Sequence, residues 1–484
     1  MHITLLNNQL LRLEGDAGIL KRDFEYQDTA RQFNYRTRRL EMVTYTDHLY
    51  EARDPKGVFF HVGFAPYLYY HYGNVLDDES KKLLEKYITS DIKYEFTDLR
   101  DYQIEDVKQL LSFKRGVFSV YTGYGKTQII AQLIYYVTKV RNESLLIITP
   151  NSKSLEEIKS RVKKLYGIES DYFNYNSNYN AININGFLRS GAYDKKDPYW
   201  ESVKWVIADE CEYCLTDKSY EMLDLCKNLE YAYAFSGTAD KSSADRIVMR
   251  NGMTDVVKRN KLLIGIFGFS LVYKKPDDFN IDIIDIRTSM FNDLSEVRMT
   301  DDAVYSEVVK QIFINDRFCR GFRRIVEKEK GGIYIPLERL EVIYYWLENV
   351  LTWSDGLIAN ICGEGIQLWS EGKRLELIDL DQLKELVHDH KVEVILGTRS
   401  SFRAIDLPEL NKIILLASQM ASSVLQQIGR VARGRKFQIF NLIPTCYVSC
   451  YTNDLRKRNK LIENYYSNCN IRRFRRNETE YGIF

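Results

Sequence analysis

Thr122 to Thr127 read TGYGKT, and these residue types suit one task. Gly123 and Gly125 free the backbone to turn its N–H groups toward an anion, Lys126 adds a point charge, and the Thr127 hydroxyl can ligate a divalent cation. That is chemistry for holding a polyphosphate with Mg2+. A second set, Asp209-Glu210-Cys211-Glu212, closes the apolar run WVIA. Carboxylates at the end of a buried strand cost desolvation unless a cation stands beside them. Asp209 can hold Mg2+, directly or through water, and Glu210 can orient and deprotonate the water that attacks a γ-phosphate. A third set lies in QQIGRVARGR, Gln426 to Arg435. On a helix Gln426, Arg430 and Arg433 share one face, and the arginine fork suits a γ-phosphate because it keeps its charge during transfer. Taken singly, each set has a plainer reading: a glycine turn, a solvated acidic turn, a salt-bridged helix face. The full G-x-x-x-x-G-K-[ST] pattern also asks for glycine where this chain has Val120.

These groups need a scaffold, and the chain supplies one pattern for it. From about Gly116 to Leu442, short apolar runs alternate with amphipathic stretches, as in parallel strands joined by helices. The first strand candidates are VFSVY from Val117, LLIIT from Leu145, WVIA from Trp205 and AYAF from Ala232. The second set is GIYI from Gly332, LIANI from Leu357, VEVIL from Val392, KIILL from Lys412 and FQIFNL from Phe437. Asp285 to Asp302 shows no clean period and reads as the connection between them. The fold class expected is α/β, with two tandem RecA-like parallel-sheet domains, a small N-terminal domain and a basic C-terminal tail. Expected boundaries are 1–93, 94–290, 291–450 and 451–484.

With 484 residues, the length suits roughly three domains. Hydrophobic residues at 45% and charged residues at 28% exclude a disordered or fibrous chain. Lys and Arg number 68 against 67 Asp and Glu, so a polyanionic partner must be met by local patches. Arg36, Arg38 and Arg39 in the N-terminal segment and the tail arginines Arg472, Arg473, Arg475 and Arg476 are such patches. Phe59, Phe60, Phe64, Tyr67 and Tyr69 read first as core and second as base-stacking groups. No apolar run approaches bilayer length and no secretory leader is evident, so no membrane partner and a cytoplasmic location are expected. The eight cysteines read as reduced thiols, Cys211 and Cys214 included, in preference to a zinc site.

Together the motifs resemble those of the superfamily-two helicases and translocases over about Leu99 to Leu442. LRDYQ is similar to the segment before the phosphate loop in the branch of UvsW, RecG and the type I restriction motors, which implies adenine recognition by Gln103. SVYTGYGKT resembles motif I, with Thr122, Gly123, Gly125, Lys126 and Thr127 at the nucleotide. LLIITPNSKSL resembles motif Ia, implying a nucleic-acid contact at Thr149, and DECE resembles the DExx box. SGTA resembles motif III, implying coupling through Ser236 and Thr238. GTRSSFRAIDLPEL resembles motif V, with Thr398 on nucleic acid and Asp406 on the nucleotide side. QQIGRVAR resembles motif VI, with Gln426 at the nucleotide and Arg430 and Arg433 as γ-phosphate sensors and finger. Ala404, in place of a usual glycine, and Glu212 depart from the pattern.

The resemblance implies ATP and Mg2+ as cofactors and DNA, forked, branched or single-stranded, as partner, with RNA as the alternative. The implied function is an ATP-dependent DNA helicase or translocase of recombination, repair or replication, in a host cytoplasm if the chain is a phage protein. Competing readings are an RNA helicase, a duplex translocase without strand separation, and a nucleotide-gated binding protein with a vestigial ATPase.

Overall fold

Antiparallel strands begin the chain in the computed structural model, which describes every residue except 8–9, 15–24, 35–38, 49–50, 55–56, 89–91, 173, 175, 191–193, 215–216, 238–246, 251–252, 257–260, 293–309, 338, 354–355, 399–406, 408–409, 417–420, 432–435 and 484. Contacts divide it into two units, Met1–Val120 with Gly125–Lys274, and Tyr121–Tyr124 with Lys275–Phe484.

The first unit opens with β1 (His2–Asn7), β2 (Leu10–Glu14), the hairpin of β3 (Glu25–Asn34) and β4 (Arg39–His48), then β5 (Glu51–Asp54) and β6 (Gly57–His61). The order β1-β2-β6-β5 makes one sheet, over which helices Ala65–Tyr72 and Asp78–Ile88 close. Its core holds Leu11, Phe60, Phe64, Leu68, Leu84 and Phe269. The aromatic run is therefore packing: Phe59, Phe60 and Phe64 are buried, the Phe60 and Phe64 rings meet edge-on at 5.9 Å, and Tyr67 and Tyr69 lean on the same core. Arg36 and Arg38 lie outside the described residues, and of Arg39, at the start of β4, only the backbone is described.

The main sheet of this unit takes β7 (Arg115–Val120), β8 (Leu145–Thr149), β9 (Tyr179–Asn183), β10 (Trp205–Ala208) and β11 (Tyr231–Ser236). After the hairpin of β12 (Ile247–Arg250) and β13 (Met253–Val256) comes β14 (Ser270–Lys274), and the order is β14-β7-β11-β10-β8-β9, all parallel. Every residue of β7, β8, β10 and β11 is buried, as continuous apolar runs covered on both faces must be. Three helices frame the candidate site: α1 (Asp101–Leu111) before β7, α2 (Lys126–Tyr135) after it, and α3 (Ser152–Tyr166) after β8. The α3 helix starts on Asn151, whose side chain accepts from Ser154 N–H at 2.9 Å, and ends on Gly167 at φ +65°. Leu155, Ile158 and Val162 form its buried stripe.

The second unit is one nine-stranded sheet of order β19-β18-β17-β20-β16-β21-β22-β15-β23. Its strands are β15 (Asp277–Thr288), β16 (Ile333–Leu337), β17 (Leu357–Cys362), β18 (Gly365–Ser370), β19 (Lys373–Ile378), β20 (Val392–Thr398), β21 (Lys412–Leu415), β22 (Lys436–Pro444) and β23 (Asn468–Asn477). From β17 to β23 the pairing is parallel, while β18 and β19 form an antiparallel extension at one edge. Both faces are dry: Ile333 and Ile335 enter one core, Tyr334 the other. Helix α4 (Asp316–Glu329) covers the first of these with Phe318, Phe322, Ile325 and Val326 at helical spacing. Helices α5 (Ala421–Val431) and α6 (Ser449–Tyr465) supply Ile428 and Ile462 to the second.

Two expectations need correction. Asp285 to Thr288 is not connecting chain but the end of β15, an interior strand. The basic segment after residue 451, expected as a tail with helical character, is helical at Arg456 on α6, but Arg472, Arg473, Arg475 and Arg476 lie on β23, the edge strand beside β15. The cause is charge pairing. Arg472 binds the Asp282 carboxylate at 2.9 and 3.1 Å, Arg473 donates to Asp285, and Arg476 meets Glu329 and Tyr481. No helix among the described residues is long and apolar enough to cross a membrane.

Candidate nucleotide site

β11 lies between β7 and β10, so the segments leaving their C-terminal ends emerge side by side. Those segments are the TGYGKT loop, Asp209 with Glu210, and the turn after Ser236. In open α/β sheets this strand edge is where ligands sit. Val120, where a glycine was asked for, is the last residue of β7 and is 1% exposed, so it serves the core and the loop turns without it. The loop's own glycines carry the bend, Gly123 at φ +98° and Gly125 at φ +101°. An L-residue rarely adopts such values.

Gly125 is also the N-cap of α2, and no side chain caps that helix end. The first N–H groups of a helix have no intrahelical partner, and with the helix dipole they make an anion cradle. Lys126 and Thr127 open the helix beside it. The Lys126 Nζ lies 4.0 Å from Glu210 Oε1, while the Thr127 hydroxyl donates to Glu157 Oε1 at 3.2 Å. Gln103 reaches the same loop from α1. Its Oε1 accepts from Arg100 N–H at 3.0 Å, it is 3% exposed, and a Cβ built on Gly125 would stand 2.5 Å from its Nε2.

Asp209 follows β10 directly and is 9% exposed, with Oδ1 buried and lacking a hydrogen-bond partner. Burial first, and the Glu210 charge next, push its carboxyl up to about 7, against the pull of Lys126. Such an orphaned oxygen suits a hard cation. With Thr127 it offers the oxygen donors that Mg2+ takes from a protein, the other positions being left to phosphate and water. Glu210 has a left-handed backbone, φ +49°, that turns the chain from the strand into the short helix Cys211–Cys214. Cys214 braces the turn: its Sγ donates to the Asp209 carbonyl at 3.2 Å. Cys211 and Cys214 are both wholly buried in apolar surroundings.

The other sequence candidates fall as follows. Ser236 ends β11 and is buried, whereas Thr238 lies outside the described residues. Thr149 ends β8, fully buried, and its hydroxyl is turned inward to donate to the Asn151 carbonyl at 3.0 Å. Thr398 ends β20, half-buried. Gln426 and Arg430 lie on α5, where only their backbone is described, while Asp406 and Arg433 lie outside the described residues. Sequence reasoning missed Glu157 and Cys214 as neighbours of the site. Cys214 had a signal in its nearness to Asp209; Glu157 had none, since only the packing of α3 beside α2 brings it there.

The family described as type III restriction enzyme, res subunit, matches residues 96–239. No curated protein matches the sequence. Among solved structures, a fragment of a putative HsdR subunit of a type I restriction enzyme from Vibrio vulnificus YJ016 is 14% identical, with 93% of this chain and 78% of that chain covered and a TM-score of 0.50. UvsW of bacteriophage T4 is 14% identical over 99% of both chains, with a TM-score of 0.40. Dbp5 of S. cerevisiae, bound to RNA and ADP BeF3, is 15% identical over 79% of this chain and 90% of that chain, with a TM-score of 0.46. Residues 96–239 thus carry a res-subunit domain, and the chain shares the fold of the Vibrio restriction-enzyme fragment.

Proposed function

We propose that the chain is an ATP-dependent DNA helicase or translocase that remodels forked, branched or displaced-strand DNA. The observation that carries the nucleotide part is the buried Asp209 carboxylate, its Oδ1 without a hydrogen-bond partner, at the strand edge that also presents the lysine of the glycine loop. A fold relieved of phosphate chemistry gains nothing from that desolvated charge. DNA is preferred to RNA because the matching family and the Vibrio structure are both restriction enzymes.

In this reading the loop N–H groups and Lys126 bind the triphosphate, and Thr127 and Asp209 would hold Mg2+, which would supply charge neutralisation to the phosphates. Glu210 takes the proton of the attacking water, a role worth about 10² to 10⁴ in rate. Gln103 sets the loop and the base, and Asp406 and Gln426 complete the nucleotide contacts. Arg430 and Arg433 stabilise the γ-phosphate in transit, and hydrolysis ends that contact. Ser236 and Thr238 relay the change. Thr398 and the arginines Arg36, Arg38 and Arg39 meet the phosphodiester backbone, whereas the buried Thr149 shapes the loop after β8 through Asn151, so binding is nonspecific in sequence and weakens steeply with salt.

The test is an ATPase and unwinding panel over single strands, duplex, forks, four-way junctions and RNA. Stimulation by branched DNA, abolished by Lys126→Ala, is the expected result. Stimulation by RNA alone makes the chain an RNA helicase, stimulation by duplex without unwinding a translocase, and ATP binding without turnover a nucleotide-gated binding protein.

A further inference from the structure

Glu157 belongs to no motif, yet it stands at the phosphate loop. Leu155, Ile158 and Val162 anchor α3 in the core and leave Glu157 exposed, where the Thr127 hydroxyl donates to its Oε1 at 3.2 Å. Its charge reaches the Asp209 carboxyl as well. The buried Asp209 Oδ1 without a partner is an independent sign that a cation is meant to arrive. Among the described residues, Glu210 stands 4.0 Å from the Lys126 ammonium, while the carboxylates of Asp209 and Glu157 lie close enough to act on one another.

A threonine hydroxyl has one proton and two acceptor lone pairs. Once the proton is committed to Glu157, only the lone pairs remain to face the loop, and a cation is what lone pairs can take. We propose that Glu157 is a positioning residue for the divalent cation: it orients the Thr127 hydroxyl as a ligand, and its charge makes the loop admit nucleotide with the metal in preference to nucleotide alone. This rests on the reading of TGYGKT as a nucleotide site. Partners of metal ligands at this remove change metal affinity about 10- to 100-fold when lost.

The experiment uses the full chain, Mn2+ as the probe read by electron paramagnetic resonance in the presence of ADP, and a fluorescent ADP titrated with Mg2+ and with EDTA. Glu157→Gln removes the charge and keeps an acceptor, whereas Glu157→Ala removes both; the control is Glu156→Gln, whose carboxylate pairs with Lys159 at 3.5 Å on the same helix. Expected is Mn2+ affinity lowered about tenfold by Gln and further by Ala, with ADP affinity in EDTA unchanged or tighter, and no change in the control. Mn2+ affinity within about twofold of wild type in both variants, or ADP affinity falling equally with Mg2+ and with EDTA, overturns the role of Glu157 while leaving the nucleotide site standing. Wild-type protein that binds no ADP under either condition overturns the nucleotide reading and this inference with it.

Discussion

The Lys126 Nζ and the Glu210 Oε1 stand 4.0 Å apart, with only 12% and 18% of their side chains exposed. The lysine proposed to meet the triphosphate thus stands beside the carboxylate proposed to activate water, and substrate must come between them. Removing either half has a distinct expected effect. Lys126→Ala abolishes nucleotide affinity and turnover together. Glu210→Gln frees the lysine for phosphate, so ATP binds as tightly or more tightly while hydrolysis falls about 10² to 10⁴-fold. Equilibrium binding of ATP set beside single-turnover hydrolysis separates the two, and unchanged hydrolysis in Glu210→Gln removes it from the base role.

Gly123 and Gly125 differ in what a methyl group would meet. Both have left-handed backbones, but a Cβ on Gly123 has nothing within 4 Å, while one on Gly125 strikes the Gln103 side chain. Gly123→Ala is expected to weaken ATP binding by backbone strain alone, about 1 to 2 kcal/mol. Gly125→Ala adds displacement of Gln103, which caps α1, and is expected to lose more affinity and some stability. Equal effects of the two substitutions in a binding titration refute the packing of Gln103 on the loop.

How much of this was visible beforehand depends on where each residue finds its partner. β7, β8 and β10 read clearly because their burial needs only apolar runs, and the glycines and carboxylates that follow them are local signals. β15 does not read as a strand, since Asp282 and Asp285 interrupt it, and its acids are satisfied by Arg472 and Arg473 nearly two hundred positions away. β9 hides for a like reason: buried Asn180 is satisfied by carbonyls of Asn174 and Ser177, a turn that periodicity does not reveal. Glu157 is the same case at the site itself, an exposed helical acid given meaning only by its neighbour across the fold.

Asp209 gives the folded chain a pH dependence. Its carboxyl is held up at about 7 against an ordinary value of 3.8, chiefly by burial and then by Glu210. The folded form therefore favours the neutral acid. Its contribution to stability is full below about pH 4 and is lost as pH rises through about 7. Asp209→Asn, neutral throughout, escapes the loss. In EDTA it is expected to be more stable than wild type at pH 8 by on the order of 1 to 3 kcal/mol, with a smaller difference at pH 5. Urea unfolding at the two pH values checks this; a difference that does not grow with pH shows that the carboxylate is solvated.

Arg472 and Asp282 join β23 to β15 through two charge-assisted hydrogen bonds, with the Asp282 side chain 8% exposed and Arg472 51% exposed. The pair is lopsided, because the aspartate cannot regain water if the arginine goes. Arg472→Ala is expected to destabilise the chain by about 1 to 3 kcal/mol, mostly through the desolvated carboxylate left behind. Asp282→Asn in the Arg472→Ala background relieves that charge and restores part of the loss, a coupling that a double-mutant cycle measures. Arg475, on the same strand and exposed, is expected to tolerate alanine within about 0.5 kcal/mol. If Arg472→Ala and Arg475→Ala prove equally mild in urea unfolding, the arginines of β23 serve something other than holding the strand to its sheet.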